Sequence, residues 1–169
     1  YNLFKINSVK PKFIIMKAIM YHYVREFDPK HPHFRFLDIR NFTKQLDFFE
    51  KNYGFLKKKE WDQFIYNGKV DSLANKIILT FDDGLSCHFD YVFPELQKRG
   101  LWGIFYVSTK PYLNNKILDV HKIHLLCGAF DGEMIYQKLR NIITNEMIQE
   151  EKKEEFKDKI YLRQKNNEY

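Results

Sequence analysis

The stretch that most constrains how this chain can fold runs from Lys76 to Gly84 and reads KIILTFDDG. Ile77, Ile78 and Leu79 pass into Thr80 and Phe81 before two adjacent carboxylates and a glycine end the run. A strand with one face in water alternates apolar and polar residues. A continuous apolar and β-branched run instead needs cover on both faces, as in a parallel sheet flanked by helices. Gly84, with no Cβ, supplies the dihedrals that a sharp exit turn needs. Asp82 and Asp83 therefore fall at the C-terminal end of a buried strand, the edge where α/β folds collect ligands and chemistry.

Two neighbouring acids resist joint ionisation unless a cation or a proton is shared between them. A divalent metal resolves the conflict, with one carboxylate as ligand and the other free to take a proton from water. The plainer alternative is that Asp-Asp-Gly is a turn, since Asp and Gly are among the commonest turn residues. A turn, however, needs no long apolar strand before it.

Thr80-Phe81-Asp82-Asp83-Gly84 resembles the first signature of the polysaccharide deacetylase family, also called the NodB homology domain, whose members remove N- or O-acetyl groups from sugars. Upstream, Lys17 to Val24 (KAIMYHYV) is similar to the family's opening strand. Downstream, Gly100 to Val107 (GLWGIFYV) is similar to its next strand, with Phe93-Pro94-Glu95-Leu96 in between. The resemblance runs from Met16 to Thr109, and three motifs in order say more than one.

What the resemblance implies is an α/β fold, an incomplete (β/α) barrel of the deacetylase type with parallel strands and helices outside. It implies Asp82 as general base, Asp83 as metal ligand, and a divalent metal cofactor, Zn with Co or Ni as alternatives. The implied partner is a carbohydrate, an acetylated amino sugar or glycan, in surface glycan biosynthesis. His22, at the end of the opening strand, is either a hydrogen-bonded structural residue or a metal or substrate residue. His121 and His124 depart from the family's second signature, which spaces its metal-binding histidines H-x-x-x-H with Ser or Thr after the first. Here the spacing is H-x-x-H and Lys122 follows the first, so structural or substrate-side roles stand beside metal ligation.

Later signatures of the family, an Arg-x-Pro-Tyr-type segment and a Leu-x-His-type ending, are not found. A complete barrel takes about 200 residues or more. The expectation is an N-terminal portion of a longer enzyme, with residues 1–15 an extension of uncertain origin, 16–130 the deacetylase-like part and 131–169 a charged amphipathic helical segment. The alternative is a catalytically inactive fragment or carbohydrate-binding remnant that lacks a complete metal site.

Elsewhere, Asp38 can cap a helix whose apolar face is Phe42, Leu46 and Phe49 and which ends near Gly54. A short helix is expected over Trp61 to Tyr66, then a turn at Asn67-Gly68. Pro94 and Gly100 bracket another short helix, Phe93 to Arg99. His31 and His33 fall in a proline-broken loop, His88 in a loop or opening turn, and Pro111 to Asn115 in a further loop. A helix carries Ile135, Leu139, Ile142 and Ile143 on one side. The mixed run Glu150 to Lys159 reads as a solvated helix face.

The net charge of +6 could suggest nucleic acid, but 28 basic residues are scattered among 22 acids, which suits a solvated surface and no nucleic-acid partner. Cys87 and Cys127 lack metal or disulfide spacing and read as reduced, buried thiols. No apolar run approaches the ~20 residues of a membrane span, and the simplest location is the cytoplasm. Oligomeric state has no signature.

Overall fold

The computed structural model describes residues 16–68 and 75–158. The expected extension at residues 1–15 lies outside the described residues. The chain divides into two compact units, the first of residues 1–29 and 35–119, the second of residues 30–34 and 120–169.

The first unit is built on three parallel strands. β1 (Lys17–Tyr21) pairs with β4 (Ile77–Phe81), and β4 with β5 (Ile104–Phe105), in the order β1-β4-β5. Between β1 and β4 in sequence, β2 (Val24–Arg25) and β3 (Leu37–Asp38) form a separate parallel pair. They are followed by helices α1 (Ile39–Asn52) and α2 (Lys58–Asn67). One turn of π-helix, His88–Val92, leads into α3 (Phe93–Lys98). The α/β class and the parallel strands with flanking helices are as the sequence implies, and a three-stranded set is what an incomplete barrel contains.

β4 is central and every one of its residues is buried. Its side chains alternate between two cores, as a strand's period of two requires. Ile77, Leu79 and Phe81 join Phe42 and Leu46 of α1, Tyr21, Val24, and Val92 and Leu96 behind them. Ile78 faces the other way, toward Leu56, Trp61, Phe64, Trp102 and Ile104. Each fully buried side chain of this size contributes about 2 kcal/mol through removal from water. Phe81 sits between Tyr21 and Phe105, stacked at centroid distances of 5.5 and 4.8 Å.

The caps follow the sequence. Asp38 accepts a hydrogen bond from the Arg40 backbone N–H at 2.9 Å. At the other end of α1 the Phe49 carbonyl accepts from both Tyr53 and Gly54, with Gly54 left-handed at φ +74. The Glu60 carboxylate accepts from the Lys57 N–H, closing the start of α2, and Gly68 caps its end.

Three sequence expectations shift. The opening strand stops at Tyr21 rather than continuing to Val24, because His22 and Tyr23 turn out of the sheet before β2. Pro111 to Asn115, expected as a loop, lies mostly in a short helix α4 (Lys110–Asn114), where Pro111 occupies the first turn and needs no N–H partner. Cys87 is buried as expected, but Cys127 is exposed, and both are free thiols.

In the second unit, α5 (Asp119–Ala129) packs against the short segment 30–34, where the His33 N–H donates to the Gly128 carbonyl at 2.9 Å. Phe34 lies so close to Gly128 that a Cβ there would meet its ring at 2.5 Å. Asp131 caps α6 (Gly132–Ile142) by accepting from the Met134 N–H. Beyond it, Lys153 pairs with Glu150 and Lys157 with Glu154 on an exposed surface, the solvated face read from the sequence. Among the described residues no helix is long and apolar enough to cross a membrane.

Candidate active site

The pairing of β1 with β4 decides what meets at their C-terminal ends. Tyr21 is in register with Phe81, so His22 and Asp82 leave the sheet side by side. The Asp82 N–H still donates to the Tyr21 carbonyl at 2.9 Å, extending the ladder one step past the strand. The chain then reverses through two consecutive left-handed residues, Asp83 at φ +76 and Gly84 at φ +59. Asp tolerates this region better than most side chains, and Gly without cost.

The reversal brings His22 Nε2 to 4.0 Å from Asp82 Oδ2 and 3.8 Å from Asp83 Oδ2. All three side chains are partly exposed, so the cluster is reachable from solvent while standing on a buried strand. One atom of it is not satisfied: Asp82 Oδ1 is buried with no hydrogen-bond partner among the described residues. A buried carboxylate oxygen left in that state costs free energy that a proton or a cation offsets.

Two neighbours of the cluster were not marked by sequence. Tyr23 has its phenol pushed up by burial first and then by the neighbouring Asp83 carboxylate. His88 is buried, and its Nε2 lies 2.5 Å from the His22 backbone carbonyl. Its ring meets Phe81 and Phe105 at centroid distances of 5.5 and 5.9 Å. Burial lowers its pKa, against a smaller opposite effect of the bond to His22. The spacing of His88, Val92 and Leu96 at i, i+4 and i+8 was the available signal, since all three turn inward.

The structure thus brings His22 together with Asp82 and Asp83. His121 and His124 belong to the second unit, on or beside one turn of α5, with ring centroids 6.4 Å apart. Two carboxylates and an imidazole suit a divalent cation in donor chemistry. They fall short of a complete protein shell, for among the described residues no group of three or more His, Cys, Asp and Glu side chains is arranged to hold a metal ion.

No family model matches the chain, and no curated protein matches it. Solved structures do. IcaB from Ammonifex degensii is 25% identical with a TM-score of 0.45, over 54% of this chain and 37% of that one. A Streptococcus pyogenes deacetylase, PplD in complex with acetate, is 20% identical with a TM-score of 0.48, over 64% of this chain and 50% of that one. A polysaccharide deacetylase from Bacillus cereus is 25% identical with a TM-score of 0.37, over 49% of this chain and 24% of that one. The similarity is thus to deacetylases, one of them a polysaccharide deacetylase. It spans between about a quarter and a half of the length of these three structures.

Proposed function

We propose that this chain carries the acid-pair core of a metal-dependent carbohydrate deacetylase, a hydrolase that removes acetyl groups from an amino sugar or polysaccharide in surface glycan assembly. The observation that supports it is the convergence of His22 on Asp82 and Asp83, at 4.0 and 3.8 Å, at the ends of two neighbouring parallel strands.

In this proposal Asp82 is the general base. It accepts the proton of a water that attacks the acetyl carbonyl and gives a proton back as the C–N bond breaks, so that acetate and the free sugar amine leave, a role suited to an acid with one unsatisfied oxygen. Asp83, helped by His22, would hold the cation, Zn²⁺ with Co²⁺ or Ni²⁺ as alternatives. When bound, such an ion polarises a carbonyl oxygen and lowers the pKa of water. Phe81, fully buried and stacked on Phe105, anchors the strand end from which the carboxylates emerge. In a cytoplasmic setting the substrate would be a nucleotide- or lipid-linked sugar.

The test is acetate release from N-acetylglucosamine oligomers with added Zn²⁺, measured beside metal content. Near-stoichiometric metal and acetate release that vanishes in Asp82→Asn support the proposal. No tight metal and no acetate release sink it. That outcome favours the second reading, an inactive fragment or carbohydrate-binding remnant.

A further inference from the structure

His22 is the one member of the cluster that does not follow β4 in the chain, and it lies beyond the last residue of β1. A residue just past a strand end is ordinarily free to swing, yet the two peptide units around it are tied down. The Tyr21 carbonyl accepts the Asp82 N–H at 2.9 Å. The His22 carbonyl is met by His88 Nε2 at 2.5 Å. A carbonyl only accepts, so His88 must donate there, which fixes the proton on Nε2 and leaves Nδ1 as the bare nitrogen. That Nδ1 is buried and has no partner among the described residues.

A polar ring enclosed by Phe81 and Phe105, with one nitrogen unsatisfied, is a costly way to fill space. Phenylalanine would pack there without that cost. What the histidine adds is a single N–H aimed at the backbone of His22. We infer that His88 is a positioning residue, clamping the His22 backbone so that its imidazole stays over both carboxylates. The π-helical turn that begins at His88 carries the ring inward to this carbonyl. The clamp itself is independent of the reaction; its effect on metal binding rests on the deacetylase proposal.

The experiment compares His88→Phe, which keeps the aromatic filling and removes the donor, with His88→Gln, whose amide N–H restores one. Backbone order parameters of the His22 and Tyr23 amides are measured by NMR in each, together with Zn²⁺ affinity by calorimetry. The clamp predicts that His88→Phe stays folded, that the order parameter at His22 falls from the rigid range to below about 0.6, and that Zn²⁺ affinity drops by roughly 10–100-fold. His88→Gln recovers most of both. An unchanged order parameter at His22 in His88→Phe overturns the inference. If the parent protein takes up no Zn²⁺, the deacetylase proposal falls, and the order parameters alone decide the clamp. Should neither variant fold, the ring nitrogens of the parent are the readout: a proton on Nε2 at neutral pH supports the clamp, and a proton on Nδ1 alone overturns it.

Discussion

Val107 closes off the space beside Gly84: a Cβ on residue 84 would lie 3.1 Å from one methyl of Val107 and 3.3 Å from the other. Gly84 also stands at φ +59, where side chains are strained whatever the space. Gly84→Ala is therefore expected to destabilise the protein by about 1–3 kcal/mol, measured by chemical denaturation. Adding Val107→Ala should return the steric part and leave the dihedral part. A Gly84→Ala protein as stable as its parent would show that the corner is not held as described.

The two acids are expected to separate by variant. Asp82→Asn keeps the size of the side chain and should retain bound metal while acetate release falls by roughly 10²–10⁴-fold. Asp83→Ala should lose the metal itself. Metal analysis beside the acetate assay tells them apart, and equal metal loss in both variants would contradict the division of roles.

Tyr21 offers a prediction at alkaline pH. Its hydroxyl donates to Gln45 Oε1 at 2.8 Å, and burial pushes its pKa from 10.0 up to about 12. The folded state resists ionisation that the unfolded chain accepts at pH 10, so this contribution is complete below pH 10 and is lost as pH climbs through about 12. Tyr21→Phe should cost about 1 kcal/mol at neutral pH through the lost hydrogen bond. It should also lose one late step from the tyrosinate absorbance titration. A titration curve with that step intact would refute the assignment.

Leu79 has no exposed surface and lies midway along β4. Leu79→Ala should cost about 2–5 kcal/mol, read by urea unfolding. Ala18, exposed on β1, should tolerate a comparable change to Ser with little loss. Equal sensitivity at both positions would mean that the burial pattern is wrong.

Much of the first unit was legible because its signals are local. The unbroken apolar run of Ile77 to Phe81 announces a strand covered twice, and the structure buries all five residues. Asp38 and Gly54 mark the ends of α1 through cap chemistry that needs no tertiary partner. The proximity of His22 to the acids followed from assuming that two strands are parallel neighbours, which they are. What was not legible depends on distant parts of the chain. The carbonyl that His88 meets lies sixty-six positions earlier. Tyr23 owes its shift to burial first and then to Asp83, remote in sequence. α4 was missed because five residues are too few to show a period, and its proline suits a helix start as well as a loop.

The fully enclosed strand has a consequence for motion. β4 is paired on both edges and takes part in both cores, so its amides cannot exchange with solvent unless the sheet and its packed helices come apart together. The carboxylates at its tip are consequently mounted on the segment slowest to open, while His22 reaches them from β1, which among the described residues is paired on one edge. Local fluctuation would then blur the imidazole before it blurs the acids.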